Sequence, residues 1–180
     1  NGAVWCPGEA DVPLRSTASF QGGWFWKAGQ DSVVSSLELM KERYVNSVGR
    51  NTNLLIGMVV DKHGLVPDVD VHRLAEFGND IKKQFSKPIA TVTGNRRGFL
   101  ISLKVAPNTP YTFSEENIML GERIIAYTIV ASADGQWVET AKCTSVGHKR
   151  IVNTDATNVS KIRLTITASV GEPEIKNFSL

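Results

Sequence analysis

The sequence predicts an α/β segment followed by an all-β one, with the change near Ser86-Lys87-Pro88. Three observations carry this. Up to residue 87, extended apolar runs alternate with stretches whose apolar residues recur at helical spacing, as pieces of βα units do. From residue 88 onward, short runs of strand-forming residues follow one another at regular spacing with turn-forming residues between them, the pattern of a β-sandwich. No further helical period occurs in that half. The expected division is therefore 1–87 and 88–180.

Taken in order, the first helix is expected after Asp31, an N-capping residue, with Val34, Leu37, Met40, Tyr44 and Val48 on one face and Gly49 stopping it. Asn53 to Val60 is nearly unbroken apolar, as in a strand covered on both faces of a parallel sheet. The loop Asp61-Lys62-His63-Gly64 follows it. After Pro67-Asp68 a second helix repeats the spacing, with Val71, Leu74, Phe77, Ile81 and Phe85 on one face. The β half reads as strands over 99–105, 111–113, 123–131, 136–143, 149–152, 161–168 and 174–180. Turns at Pro107-Asn108, Asp134-Gly135 and Gly171-Glu172-Pro173 separate some of them. In the strand over 123–131 both alternating sets are largely apolar, which places it in the centre of its sheet.

Composition narrows the function classes. With 42% hydrophobic and 21% charged residues among 180, the chain is an ordinary globular one. A net charge of +2 is too small to argue for nucleic acid, and Arg96-Arg97, after Gly94-Asn95, reads as a solvated turn. No apolar stretch approaches the ~20 residues of a membrane span. Asn1 in place of methionine is expected from processing or cleavage. Asn158-Val159-Ser160 and Asn177-Phe178-Ser179 are N-glycosylation sequons, in keeping with a secreted or lysosomal protein, although two sequons also arise by chance. Cys6 and Cys143 fall in different predicted domains, so a bridge between them is less expected than separate thiols or separate pairs. The pattern contains no His-Glu-x-x-His, Cys-x-x-Cys, phosphate loop or dinucleotide fingerprint, so no metal or organic cofactor is implied. His63, His72 and His148 form no set of their own; His63, in a loop after a strand, could face a substrate or simply water.

The densest chemistry lies near the start. Glu9-Ala10-Asp11-Val12-Pro13-Leu14-Arg15 follows Trp5-Cys6-Pro7-Gly8 and precedes Gly23-Trp24-Phe25-Trp26. Carboxylates and an arginine beside tryptophans suit a sugar site, because rings pack on apolar sugar faces while charged groups fix hydroxyls. After it come Val48-Gly49-Arg50-Asn51-Thr52-Asn53-Leu54-Leu55-Ile56-Gly57, Gly64-Leu65-Val66-Pro67-Asp68-Val69-Asp70-Val71 and Arg73-Leu74-Ala75-Glu76-Phe77-Gly78. In this order and spacing the blocks resemble the C-terminal part of the alpha-L-fucosidases, retaining glycoside hydrolases built on a (β/α) barrel with a β-sandwich behind it. The run 117–123, Trp137 and Val146-Gly147-His148-Lys149-Arg150 resemble the galactose-binding-like jelly roll found after that barrel.

That resemblance implies a fucosylated glycan as substrate and a pair of carboxyl groups ~5 to 5.5 Å apart, one nucleophile and one acid/base. It places the nucleophilic aspartate upstream of Asn1 and points to Glu9 as the acid/base, with Trp24, Arg15, Asp11 and Trp5 as substrate-binding residues. Simpler roles stand beside these: Glu9 anchoring a loop through Arg15 or a backbone amide, Asp11 paired with Arg15 or Arg50, Arg15 in a structural ion pair. The segment Ser16 to Gly22 is longer and more polar than the corresponding connection of many relatives. Two or three βα units cannot close an eight-stranded barrel of typically ~250 residues. The N-terminal half of the barrel is therefore expected as a covalently joined or associated partner. A non-catalytic, carbohydrate-binding or adhesive protein on the same scaffold is the alternative. Because barrel sites open at the C-terminal ends of strands, Glu9, taken to follow a strand over Ala3-Val4-Trp5, should share a face with the loop Asp61 to Gly64.

Overall fold

The computed structural model describes residues 8–105, 109–115, 122–156 and 158–180. It is a mixed α/β chain whose sheets are mostly antiparallel. It divides into two compact units, one of residues 1–48 and 52–87, the other of 49–51 and 88–180.

The first unit runs β1 (Glu9–Pro13), α1 (Leu37–Asn46), β2 (Asn53–Gly57), α2 (Asp68–Phe85). β1 and β2 pair in parallel, Glu9 opposite Asn53 and Pro13 opposite Gly57. Parallel neighbours need a crossover, which the segment containing α1 supplies. α1 starts later than its apolar spacing suggests: Ser36 is the N-cap, its hydroxyl accepting the Leu39 N–H at 3.2 Å. Asp31 instead heads a single 3-10 turn, and Val34 is extended because it bridges Arg15. α2 follows Pro67 and buries a stripe of aromatics against α1. Tyr44 lies edge-on to Phe77 at 6.0 Å and beside Phe85 at 5.9 Å, and Lys41 pairs with Asp80 at 3.1 Å. Val71 is not on that stripe. It is half exposed, and the fully buried residue of the first turn is Asp70.

The apolar run of β2 is not covered on both faces. Leu55, Met58 and Val60 are each more than half exposed, while Val59 is buried. Among the described residues β1 is the only strand paired with β2, and it leaves one face of this sheet open to water.

In the second unit β3 (Thr91–Gly94), β10 (Ile175–Ser179), β5 (Tyr111–Glu115) and β8 (Arg150–Val152) form one four-stranded sheet in that order. β4 (Gly98–Val105), β9 (Val159–Ser169), β6 (Ile124–Ala133) and β7 (Gln136–Cys143) form the other. One hydrophobic core draws on both, with Phe113 edge-on to Tyr127 at 4.9 Å and to Phe178 at 5.9 Å. β6 lies between β9 and β7, as its two apolar faces predict. β3 escaped sequence reasoning because four residues with one apolar side chain give no period. The β6–β7 hairpin turns on Asp134 and Gly135 with φ of 49° and 82°, the positive pair that Asp-Gly tolerates in a two-residue loop.

Glu115, almost fully buried at the end of β5, ties this unit together. Its Oε1 accepts the backbone N–H groups of Arg123 and Ile124, both at 2.9 Å, and its Oε2 accepts that of Gly147 at 2.9 Å. Asn158 is exposed just before β9. Asn177 is half-buried on the interior strand β10, and its sequon partner Ser179 is buried. Cys143 is a free thiol, and Cys6 lies outside the described residues.

Candidate functional site

In a parallel sheet, loops leaving the C-terminal ends of the strands are the ones free to build a site. Here those ends carry the segment after Pro13 and the segment after Gly57. The ladder continues one step past the strands, with the Leu14 N–H donating to the Gly57 carbonyl at 2.9 Å. The chain then leaves on a long excursion that returns to its starting point. Ser16 N–H donates to Val33 O at 2.8 Å and Ser35 N–H to Leu14 O at 2.9 Å, clasping the loop at its base.

Arg15 locks that clasp. Its side chain is 1% exposed, and it meets the 0% exposed Asp70 twice, Nη2 to Oδ1 at 3.0 Å and Nε to Oδ2 at 3.3 Å. Nη1 donates to the Gln30 carbonyl at 2.8 Å. A planar guanidinium can satisfy this fork and a carbonyl together, which an ammonium cannot do in the same geometry. The loop base is thus tied to the first turn of α2. This corrects the expectation that Arg15 binds substrate: all but one per cent of its surface is withdrawn from solvent, and its donors are committed to Asp70 and Gln30. The ion-pair reading holds, with Asp70 as a partner that spacing did not reveal. The available signal was an acid at the position four residues before Leu74 on the apolar stripe of α2.

Within the clasped loop, Gly23 is buried at φ 85°, and a Cβ there would fall 2.7 Å from the Arg15 carbonyl oxygen. That close approach delivers Trp24 onto the end of β2. A Cβ on Gly57 would meet the Trp24 ring at 2.5 Å, so glycine at 57 is what lets the indole lie across the strand end. Trp24 keeps 42% of its surface exposed and Phe25 63%, while Trp26 is half-buried. Of the three aromatics, Trp24 is held by the scaffold and still presents a face. It forms an apolar shelf over the C-terminal end of the parallel pair.

The loop after β2 is shaped by Asp61. Its Oδ1 accepts the N–H groups of His63 at 2.7 Å and Leu65 at 3.0 Å, and its own N–H donates to Leu65 O at 2.8 Å. The Leu65 hydrogen bond, with that of His63, holds the Asp61 carboxyl below the ordinary carboxylate range. His63 is exposed on this loop.

Glu9 is elsewhere. It is the first residue of β1, at the end where the parallel strands begin, whereas the Asp61 to Gly64 loop follows the end where β2 finishes. At about 3.3 Å per residue the strand separates Glu9 from Pro13 by ~13 Å. The expectation that both open on one face is therefore overturned. Glu9 belongs to the strand rather than to a loop following one, and the geometric ground for its acid/base role goes with that placement. Glu9 and Asp11 do share a face, both exposed and alternating with half-buried Ala10 and Val12. Among the described ion pairs, neither Arg15 nor any other cation is joined to Asp11. Trp5 lies outside the described residues.

No family model matches the chain. It is 25% identical to "Putative alpha-L-fucosidase 1" of Oryza sativa subsp. japonica, over 99% of this chain and 40% of that protein. It is 30% identical to alpha-L-fucosidase 1 of Arabidopsis thaliana, over 76% of this chain and 24% of that protein. Among solved structures it superimposes with a TM-score of 0.91 and 38% identity on a "putative alpha-L-fucosidase" from Bacteroides thetaiotaomicron VPI-5482, covering 99% of this chain and 41% of that one. The chain spans about two-fifths of the length of the rice and bacterial relatives, and less of the Arabidopsis one. By sequence and by structure it is a homologue of the alpha-L-fucosidases over the C-terminal part of those proteins.

Proposed function

We infer that this chain is the C-terminal part of a glycoside hydrolase that releases terminal L-fucose from glycoconjugates. The observation that carries the reading is the Trp24 shelf over the C-terminal end of a parallel βαβα unit, in a chain homologous to alpha-L-fucosidases over nearly its whole length. The first unit is the closing portion of a (β/α) barrel. Its exposed Leu55, Met58 and Val60 are the surface that upstream barrel strands cover. The second unit is the jelly-roll sandwich that accompanies the barrel. Turnover proceeds by double displacement. An aspartate upstream of Asn1 attacks the anomeric carbon and expels the protonated leaving oxygen, and water then releases fucose with retention. The acid/base carboxyl, like the nucleophile, comes from outside the strand that carries Glu9. This chain supplies the apolar platform on which the sugar ring rests.

Two substitutions in the complete protein test the assignment. Glu9→Gln is expected to leave turnover of an aryl alpha-L-fucoside within about twofold of the native value, as for a surface residue remote from the site. A loss of several orders of magnitude would return Glu9 to the mechanism. Trp24→Ala is expected to raise KM by about tenfold, the loss of roughly 1.4 kcal/mol of ring packing. An unchanged KM would remove the shelf from the pocket.

Exposed Asn158 is the sequon suited to carry a glycan in a secreted or lysosomal protein. Loss of mass on enzymatic deglycosylation, abolished by Asn158→Gln, is the expected result.

A further inference from the structure

The second unit carries an open cleft of about 320 Å³ whose lining, among the described residues, includes Tyr127, Lys142, Cys143, Thr144, Arg150 and Thr167. Its place in the fold is defined. β7 ends one sheet and β8 ends the other, so Cys143 at the close of β7 and Arg150 at the start of β8 come from the two sheet edges. A volume of this size is in the range of small-ligand sites.

Its chemistry is one-sided. Lys142 and Arg150 supply two positive charges to the lining, and no acidic residue is among the described lining residues. A third cation stands close by, because residue 50 forms an isolated antiparallel bridge with residue 150. Residues directly opposite in such a bridge project from the same face, so two arginines are juxtaposed across it, an arrangement that costs energy unless an anion lies between them. None of Arg50, Lys142 and Arg150 takes part in an ion pair among the described residues.

Two buried polar groups also stand at this place. The Tyr127 hydroxyl, on a side chain 0% exposed, faces the Arg150 guanidinium and the Cys143 thiol, and the Arg150 Nε has no hydrogen-bond partner among the described residues. Leaving a buried donor such as the Arg150 Nε unpaired costs roughly 1 to 3 kcal/mol, a cost that an anion bound here would offset. Burial pushes the Tyr127 hydroxyl well above the usual phenol range, which keeps it a neutral donor at physiological pH. The remaining polar groups are the hydroxyls of Thr144 and Thr167 and the Cys143 thiol, suited to the uncharged part of a sugar.

We propose that this cleft is an accessory site for an anionic sugar, its carboxylate or sulfate held by Arg150 and Lys142 with Arg50 at the rim and Tyr127 donating from beneath. The sugar body of the ligand rests on the glycan-processing reading; recognition of the anion does not. The site lies within the second unit, so occupancy is measured by binding rather than turnover.

The test is titration of the complete protein, by two-dimensional NMR or calorimetry at low salt, with glucuronic acid, galactose 6-sulfate, inorganic sulfate and glucose. Glucuronic acid or the sulfated sugar should bind in the millimolar range, weaken as salt is added, and bind better than glucose. The stronger of the two identifies the anion. The exposed substitutions Arg50→Ala and Lys142→Ala, which do not depend on the protein tolerating loss of Arg150, should each weaken binding by at least about threefold. Inorganic sulfate binding that falls in the same variants would support the anion cradle. Absence of binding by either acidic sugar, or binding that both variants leave unchanged, would overturn the proposal, and a normal rate of fucoside turnover beside either result would leave the glycosidase reading standing.

Discussion

Asp70→Ala is expected to lower the unfolding free energy by about 3 kcal/mol, because it leaves the buried Arg15 guanidinium with only the exposed Asp31 carboxylate, at 3.7 Å, as counter-charge. The Coulombic attraction of the pair is offset by the cost of taking both ions out of water, so the pair itself adds little net stability; the loss comes from the orphaned partner. A double substitution, Arg15→Met with Asp70→Leu, should accordingly recover much of the stability, since well-packed apolar groups replace buried ion pairs at little cost. Denaturant titration of the complete protein measures both. Recovery of stability should come without full recovery of function. The same pair ties the base of the Trp24 loop to α2, and the double variant should keep a raised KM for fucoside. If Asp70→Ala unfolds at the native midpoint, the clasp is not what holds the loop.

The second large effect lies in the other unit. Glu115→Ala removes the acceptor of three backbone N–H groups, those of Arg123, Ile124 and Gly147, in a place closed to water. With one or more donors left unpaired at roughly 1 to 3 kcal/mol each, a loss of about 3 kcal/mol is expected. Glu115→Gln should cost less, because its amide oxygen can still serve the Arg123 and Ile124 groups while its NH2 opposes that of Gly147. The order native, Gln, Ala in thermal midpoint is the expected result. Equal midpoints for Gln and Ala would mean that Glu115 acts through its charge and not through these bonds.

Much of this arrangement was legible in the residues and some was not, for identifiable reasons. The helices were read from their stripes because apolar period survives errors at the ends. Their starts were not, because Asp31 and Ser36 both carry capping side chains and only the pairing of Val34 with Arg15 decides between them. Asp70 was hidden by its neighbour: the eye places Val71 on the stripe, yet a buried arginine elsewhere makes an acid the better occupant. Gly57 read as an ordinary strand residue, since its role depends on a ring 33 residues away. Glu9 and Asp11 alternate with Ala10 and Val12, so an extended segment puts both on one face, as β1 does. Which end of a strand Glu9 occupies could not be read, because the apolar residues before it suggested a strand already finished. Of the two exposed aromatics in Trp24-Phe25-Trp26, the resemblance points to Trp24, and the glycine beneath its ring is what distinguishes it physically from Phe25.

The most direct measurement is proton NMR of the complete protein acting on an aryl alpha-L-fucoside. A fucosidase of the kind inferred releases L-fucose whose alpha anomer appears first and then mutarotates, as two successive displacements require. Appearance of the beta anomer first would contradict the retaining mechanism. No release of fucose by folded protein that still binds the sugar would contradict the glycosidase reading and leave a carbohydrate-binding protein on a fucosidase scaffold.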